Sequence, residues 1–211
     1  MAAYQRQNLK EAVERLGRIL HFRLPRGSRV LLKPNLVTGR GHAGLACTHP
    51  EYVAAVAAWC LDQGAAVRIG DSPAFGTARS VMAACGYREA LQGLPVKLVN
   101  FSRHRPVKLA SGPVVRLATE ALECDILINL PRVKAHSQLL VSLAVKNHFG
   151  VVAGWRKPFL HQRYGAEGGE RFCRLLVDLL EVLPAGISLI DGITVMHWRG
   201  RSCSGKRWQT S

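Results

Sequence analysis

Two hydrophobic rhythms take turns along the chain. Residues 8–20 carry Leu9, Val13, Leu16 and Leu20 at helical spacing, with Lys and Glu between them. Pro25-Arg-Gly27 then turns into Arg29-Val-Leu-Leu-Lys33, a short continuous run of the kind buried on both faces of a sheet. A loop rich in glycine and histidine follows, Gly39-Arg-Gly-His-Ala-Gly44, and Thr48-His-Pro-Glu51 reads as a capping box opening a helix that runs through Asp62 and stops at Gly64. The same grammar repeats. Ala66 to Gly70 is a predicted strand, Thr77 begins a helix ending near Gly86, and Val96 to Phe101 is a third strand. Ser111-Gly-Pro113 between two β-prone runs predicts a hairpin over residues 107–117. Asp125-Ile-Leu-Ile-Asn129 is a further strand, Gln138 to Phe149 a predicted helix closed by Gly150, and residues 169–183 a helix striped by Phe172, Leu175, Leu176, Leu179, Leu180 and Leu183. Ile187 to Ile190 is the last predicted strand.

Strands separated by crossover helices predict an α/β fold, a mainly parallel sheet covered by helices on both faces in three layers. The expected organisation is one α/β domain over residues 1–196, followed by an atypical basic tail, 197–211. No apolar run approaches the roughly 18 residues of a membrane helix. The N-terminal segment lacks the apolar block of a signal peptide, so the sequence predicts a cytoplasmic location with no membrane partner.

Charge changes this picture. Lys and Arg number 29 against 14 acids, a formal net charge of +15. Such an excess favours anionic partners: nucleic acid, anionic lipid or anionic small molecules. The basic residues are scattered and form no block of five, which argues against the clustered footprint of a nucleic-acid surface. The six cysteines stand at 47, 60, 85, 124, 173 and 203, with no zinc-ribbon or ferredoxin spacing. Cys60, Cys85 and Cys173 fall in apolar helical patterns and read as small hydrophobes. Cys47, in the loop, is the candidate ligand or reactive thiol.

In open α/β sheets ligands bind outside the carboxyl ends of the strands. Those ends read Lys33-Pro-Asn35, Asp71-Ser-Pro73, Asn129-Leu-Pro-Arg-Val-Lys-Ala-His136 and Asp191-Gly192. Lys33 would be costly to bury unpaired, which suggests an ammonium aimed at a phosphate or carboxylate, with Asn35 beside it. Lys134 and His136 fall on a loop entering the helix on which Ser142 and Lys146 share a face, followed by Asn147. Asp71 and Asp191 are candidates for acid–base work, metal binding or turn capping. Four histidines, His49, His136 and His161 among them, could gather into a metal site, without any His-Glu-x-x-His spacing. The chain lacks the glycine fingerprint of dinucleotide-binding folds, the phosphate-binding P-loop and the Gly-x-Ser-x-Gly elbow of serine hydrolases.

The same segments resemble the domain of unknown function 362 family of bacterial and archaeal proteins. The resemblance rests on Val30-Leu-Leu-Lys-Pro-Asn-Leu-Val37, Thr48-His-Pro-Glu51, Gly70-Asp-Ser-Pro-Ala74, Asp125 to His136, Ser142-Leu-Ala-Val-Lys-Asn-His-Phe-Gly150 and Ile190-Asp-Gly-Ile193, in order from 28 to 196. Members are sometimes joined to iron–sulfur ferredoxin modules. The resemblance therefore implies a redox context, with a cluster supplied by a ferredoxin-like partner; a bound divalent metal is the alternative cofactor that the histidines and Asp71 and Asp191 raise. It also implies a departure after Met196, where members continue with further sheet elements. A truncated or frame-shifted reading frame, and a sheet incomplete at its C-terminus, is the expectation that follows.

The combined reading is a crevice that binds an anionic small molecule or cofactor. Lys33, Asn35, Thr48, His49, Ser72 and Asn147 are its binding candidates, and Asp71, Lys134, His136, Lys146 and Asp191 its catalytic candidates. The competing readings are a nucleic-acid-binding module and a metal-dependent hydrolase.

Overall fold

A computed structural model describes residues 4–39, 46–73, 76–136, 140–152, 157, 160, 163–164, 169–197 and 206–209. Five strands form a sheet that is parallel throughout: β1 (Arg29–Pro34), β2 (Ala66–Asp71), β3 (Lys97–Asn100), β6 (Ile126–Leu130) and β9 (Gly186–Ser188), in spatial order β3-β2-β1-β6-β9. Between β3 and β6 the chain makes an antiparallel hairpin of β4 (His104–Lys108) and β5 (Val114–Ala118), turning through Gly112 at φ 103°.

Each strand is short and apolar because both of its faces are covered. On one face Val30, Leu32, Ile69, Ile128 and Leu130 pack with α1 (Arg6–Ile19), α2 (Pro50–Asp62), α3 (Ala78–Ala84) and α4 (Tyr87–Ala90). On the other, Leu31 and Leu127 pack with the hairpin, α5 (Thr119–Leu122) and Phe172, Leu175, Leu176 and Leu179 of a long helix, Glu170–Val182. The three-layer α/β architecture is the one expected from the alternation of strands and helices.

A second, mixed sheet adjoins the first, in the order β11-β10-β7-β8, formed by β7 (Arg132–His136), β8 (Leu140–Ser142), β10 (Asp191–His197) and β11 (Lys206–Gln209). Only Pro131 separates β6 from β7, and two residues separate β9 from β10, so neighbouring parallel strands pass from one sheet into the other side by side.

Three expectations are corrected here. Residues 138–149 do not form one helix: Leu140–Ser142 pairs antiparallel with β7, and the helix is reduced to α6 (Ala144–Asn147) followed by a 3-10 turn, His148–Val151. A short apolar run reads alike in either element, and the neighbouring β7 edge decides it. Lys134 and His136 accordingly sit on a strand, and Asp191 opens β10 instead of closing the last strand. The capping box lies elsewhere. His49 is the N-cap of α2, its ring Nδ1 accepting from the Glu51 amide, whereas a reciprocal box does form at Thr77 and Ser80. With α6 in place, the Glu170–Val182 helix is α7; its Leu180 and Cys173 are exposed.

Candidate functional site

From β1 the chain steps outward through β2 to β3, then returns to the other side of β1 as β6 and continues to β9. The winding direction reverses between β1 and β6, the switch point outside whose strand ends doubly wound sheets carry their ligands. Lys33 and Asn129 are register partners at this point, and Asp71 closes the adjacent β2.

Lys33 is fully buried, and its ammonium pairs with Asp71 Oδ1 at 2.7 Å. Asp71 Oδ2 accepts from the Leu36 amide at 2.9 Å, which fixes the chain as it leaves β1. Burial lowers the Lys33 pKa against the pull of Asp71. Gly150 covers the pair: a Cβ there would lie 2.2 Å from Asp71 Oδ1 and 2.3 Å from Lys33 Nζ. Only a residue without a side chain fits over this ion pair.

Beside it, two asparagines knit the strand ends to α6. Asn147 donates to Asn129 Oδ1 at 2.8 Å and to the Lys33 carbonyl at 3.3 Å; Asn129 donates to Ala144 O at 3.0 Å and Ser188 Oγ at 2.9 Å. His148 places Nδ1 3.0 Å from Ala144 O, which assigns the ring proton to that nitrogen. Burial, with Lys33 nearby, pushes the His148 pKa down to about 4, so the ring is neutral at pH 7.

Three more lysines converge from other elements. Lys134 on β7 donates to Asn35 Oδ1 at 3.2 Å. Lys157 donates to Ser72 O at 2.5 Å and to Gly150 O at 3.4 Å. Lys146 stands on α6. All three are partly buried, and burial pushes each pKa down to about 8. Mutual repulsion adds to this, Lys33 acting on Lys134 and Lys157, and Lys134 on Lys146. Lys33, Lys134 and Lys157 thus gather around the Asp71 carboxylate, with Lys146 beside Lys134.

A second buried cluster lies where β10 begins. Arg132 Nη1 donates to Asp191 Oδ2 at 2.5 Å, both side chains almost wholly excluded from solvent. The Tyr4 hydroxyl donates to Asp191 Oδ1 at 2.7 Å and the His49 amide to Oδ2 at 3.0 Å. The Tyr4 and His49 rings stack at 3.6 Å. Burial, with the Asp191 charge, pushes the Tyr4 pKa up to about 12. This cluster locks the N-terminal segment onto the second sheet.

The structure therefore sorts the sequence candidates. Lys33, Asn35, Asp71, Lys134, Lys146 and Asn147 come together at the strand ends, joined by the Ser72 carbonyl. Thr48 is fully buried, its hydroxyl donating to Leu130 O at 2.6 Å and accepting from the Asn35 amide at 2.8 Å, so it ties the exits of β1 and β6 together. Asp191 and His49 belong to the Arg132 cluster. His136 is placed by its backbone on β7, and His161 lies outside the described residues. Sequence reasoning missed Lys157, His148, Asn129 and Arg132 as site residues. Asn129 and Arg132 carried the signal of polar residues flanking an apolar strand; Lys157 lies in a stretch without periodicity. Among the described residues no three His, Cys, Asp or Glu side chains gather as a metal site.

These features define a doubly wound α/β protein with a cluster of buried and half-buried lysines at its switch point. The chain belongs to the family Domain of unknown function (DUF362), whose sequence profile matches residues 30–209. The match continues past Met196, where the resemblance had implied a departure, and includes β11. The chain is 40% identical over 194 residues to the thylakoid-associated protein sll1697 of Synechocystis sp., covering 92% of this chain and 60% of that protein. Among solved structures it resembles the lactate racemase apoprotein of Thermoanaerobacterium thermosaccharolyticum, with TM-score 0.53, 12% identity, and coverage of 86% of this chain and 48% of that one. A Thermotoga maritima protein gives TM-score 0.52 at 11% identity, covering 96% of this chain and 54% of that one. At such identities the likeness concerns the fold.

Proposed function

We propose that the crevice at the carboxyl ends of β1, β2 and β6 binds an anionic small molecule or cofactor. One observation carries this reading: Lys33, Lys134 and Lys157, from three separate segments, gather around a single carboxylate, with Lys146 beside Lys134. Desolvated lysines crowded in this way repel one another, and an incoming anion relieves that repulsion while accepting their N–H groups. Lys134, Lys146 and Lys157 are the contacting groups. Lys33 and Asp71 form the floor, Asn35 and Asn147 orient the loops, and neutral His148 is an acid–base candidate. The lysines sit partly buried in a crevice and not along an exposed stripe, which favours a small anion over a nucleic acid.

The iron–sulfur partner belongs to this proposal on the strength of the family resemblance alone, as an electron source for the bound anion. The cytoplasmic location rests on the sequence; no helix among the described residues is long and apolar enough to cross a membrane. Calorimetric titration with inorganic phosphate at pH 7 tests the site. The expected result is saturable binding that weakens at least tenfold in Lys134→Ala and in Lys157→Ala, and is unchanged in the exposed Arg103→Ala. Binding that is absent, or indifferent to both lysine variants, refutes the reading.

A further inference from the structure

We infer that Cys47 and Cys85 form an oxidisable dithiol, at which a peroxide converts the two thiols into a disulfide bridging the β1 exit loop to α3. Nothing in the anion-binding reading uses either sulfur. The placement follows from packing. A Cβ added at Gly39 would lie 2.6 Å from the Ala84 Cβ and 3.7 Å from the Val81 Cα, so the loop leaving β1 lies flush on the last turn of α3. Cys85 is the residue that ends that turn, as the C-cap of α3. Cys47 returns along the same loop, its Sγ accepting from the Val37 amide at 3.4 Å and, when protonated, donating to Thr38 O at 3.8 Å. The Cys85 thiol lies close enough to Cys47 for the two sulfurs to influence each other's ionisation.

The two sulfurs are not equivalent. Cys85, with the Val37 and Thr38 backbone and the Lys134 ammonium, draws the Cys47 pKa down to about 6 against the effect of burial. The same contact drives the Cys85 pKa upward. One sulfur is thus the nucleophile and its neighbour the proton-bearing partner, the division of labour that thiol oxidation requires. The Cys47 thiolate attacks one peroxide oxygen; the O–O bond breaks and hydroxide leaves, yielding a sulfenic acid once protons equilibrate. Cys85 then attacks the Cys47 sulfur, the S–O bond breaks, and water departs with the Cys85 proton. Overall two thiols and one hydrogen peroxide give one disulfide and two waters, the sulfurs losing two electrons and the peroxide gaining them. Cys47 is only 1% exposed, which restricts the first step to an oxidant as small as hydrogen peroxide. The bridge would also remove the negative charge that faces Lys134.

The full chain, treated with hydrogen peroxide and then alkylated, is digested without reductant and mapped by mass spectrometry. The expected product is a Cys47–Cys85 cross-linked peptide, two hydrogen masses lighter than the reduced pair, formed before Cys60 or Cys124 reacts. In Cys85→Ser, dimedone labels Cys47 as a sulfenic acid. Recovery of Cys47 and Cys85 as free thiols while the exposed Cys173 is oxidised overturns the inference, as does pairing of Cys47 with any other cysteine. These readouts are covalent, so they stand or fall independently of phosphate binding.

Discussion

Lys33→Met isolates the energetics of the buried ion pair at the floor of the crevice. At 2.7 Å the Lys33–Asp71 attraction is about 6 kcal/mol for an effective dielectric constant of about 20. Removing both charges from water costs several kcal/mol per ion, so the intact pair contributes little net stability. Truncating one partner is different, because the desolvation of Asp71 persists while its partner is gone. Methionine fills the stem volume of lysine but leaves the carboxylate, 3% exposed, without its ion-pair partner and held by the Leu36 amide, with Lys134 and Lys157 acting on it only at longer range. The expected loss is about 3–5 kcal/mol. For a chain of this size that lowers the melting temperature by roughly 10 °C, at about 2–4 °C per kcal/mol. Urea titration followed by circular dichroism measures it. Adding Asp71→Asn removes the stranded charge while keeping an oxygen for the Leu36 amide, and should restore at least about 2 kcal/mol of the loss. A Lys33→Met loss below about 1 kcal/mol, or a double variant no more stable than the single, refutes the reasoning.

Lys157→Met should raise the urea midpoint at pH 7, with the advantage fading between pH 8 and 10. A lysine held at about 8 in the fold and near 10.4 when unfolded burdens the native state fully below pH 8 and is relieved as it deprotonates; an advantage independent of pH counts against the assigned crowding. Phosphate affinity should run the opposite way, declining as the pH rises through 8, which the same calorimetry at pH 7 and 9.5 checks. Gly150→Ala forces a methyl group between Asp71 Oδ1 and Lys33 Nζ and should cost at least about 1–3 kcal/mol in urea titration; a neutral outcome would mean that the 3-10 turn does not cover the pair. Tyr4→Phe removes the hydroxyl donor to Asp191 but keeps the ring on His49, for an expected loss of about 1.5–3 kcal/mol with phosphate binding unchanged.

Much of the sheet is legible in sequence because its strands are buried on both faces. Arg29 to Lys33, Ala66 to Gly70 and Asp125 to Asn129 are apolar runs that end in polar residues, and each becomes a strand with its chemistry at the carboxyl end. What resists reading is whatever depends on a distant partner. Leu140–Ser142 joins β8 because β7 offers an edge, a fact absent from its own periodicity. Thr48 resembles a cap, yet its hydroxyl is taken by Leu130, 82 residues away. Cys85 reads as a small hydrophobe until the β1 exit loop brings Cys47 against it. Lys33 announces itself as an expensive lysine, but its principal partner is an acid on β2, and the groups more open to solvent are Lys134, Lys146 and Lys157.

The passage of β6 into β7 through Pro131 has a consequence for how the crevice meets its ligand. Asn129 and Lys134 lie on one nearly unbroken backbone, and β9 and β10 run alongside, with Leu189 N bonded to Asn129 O and Asp191 N to Pro131 O, both at 2.9 Å. The two strands form a splinted bend whose proline fixes one of its few free torsions. Lys134 is thereby held at a set distance from the end of β6 before any anion arrives. The repulsion among the lysines is stored in a rigid frame, and the entropy of ordering that side of the crevice is spent during folding rather than at the moment of binding.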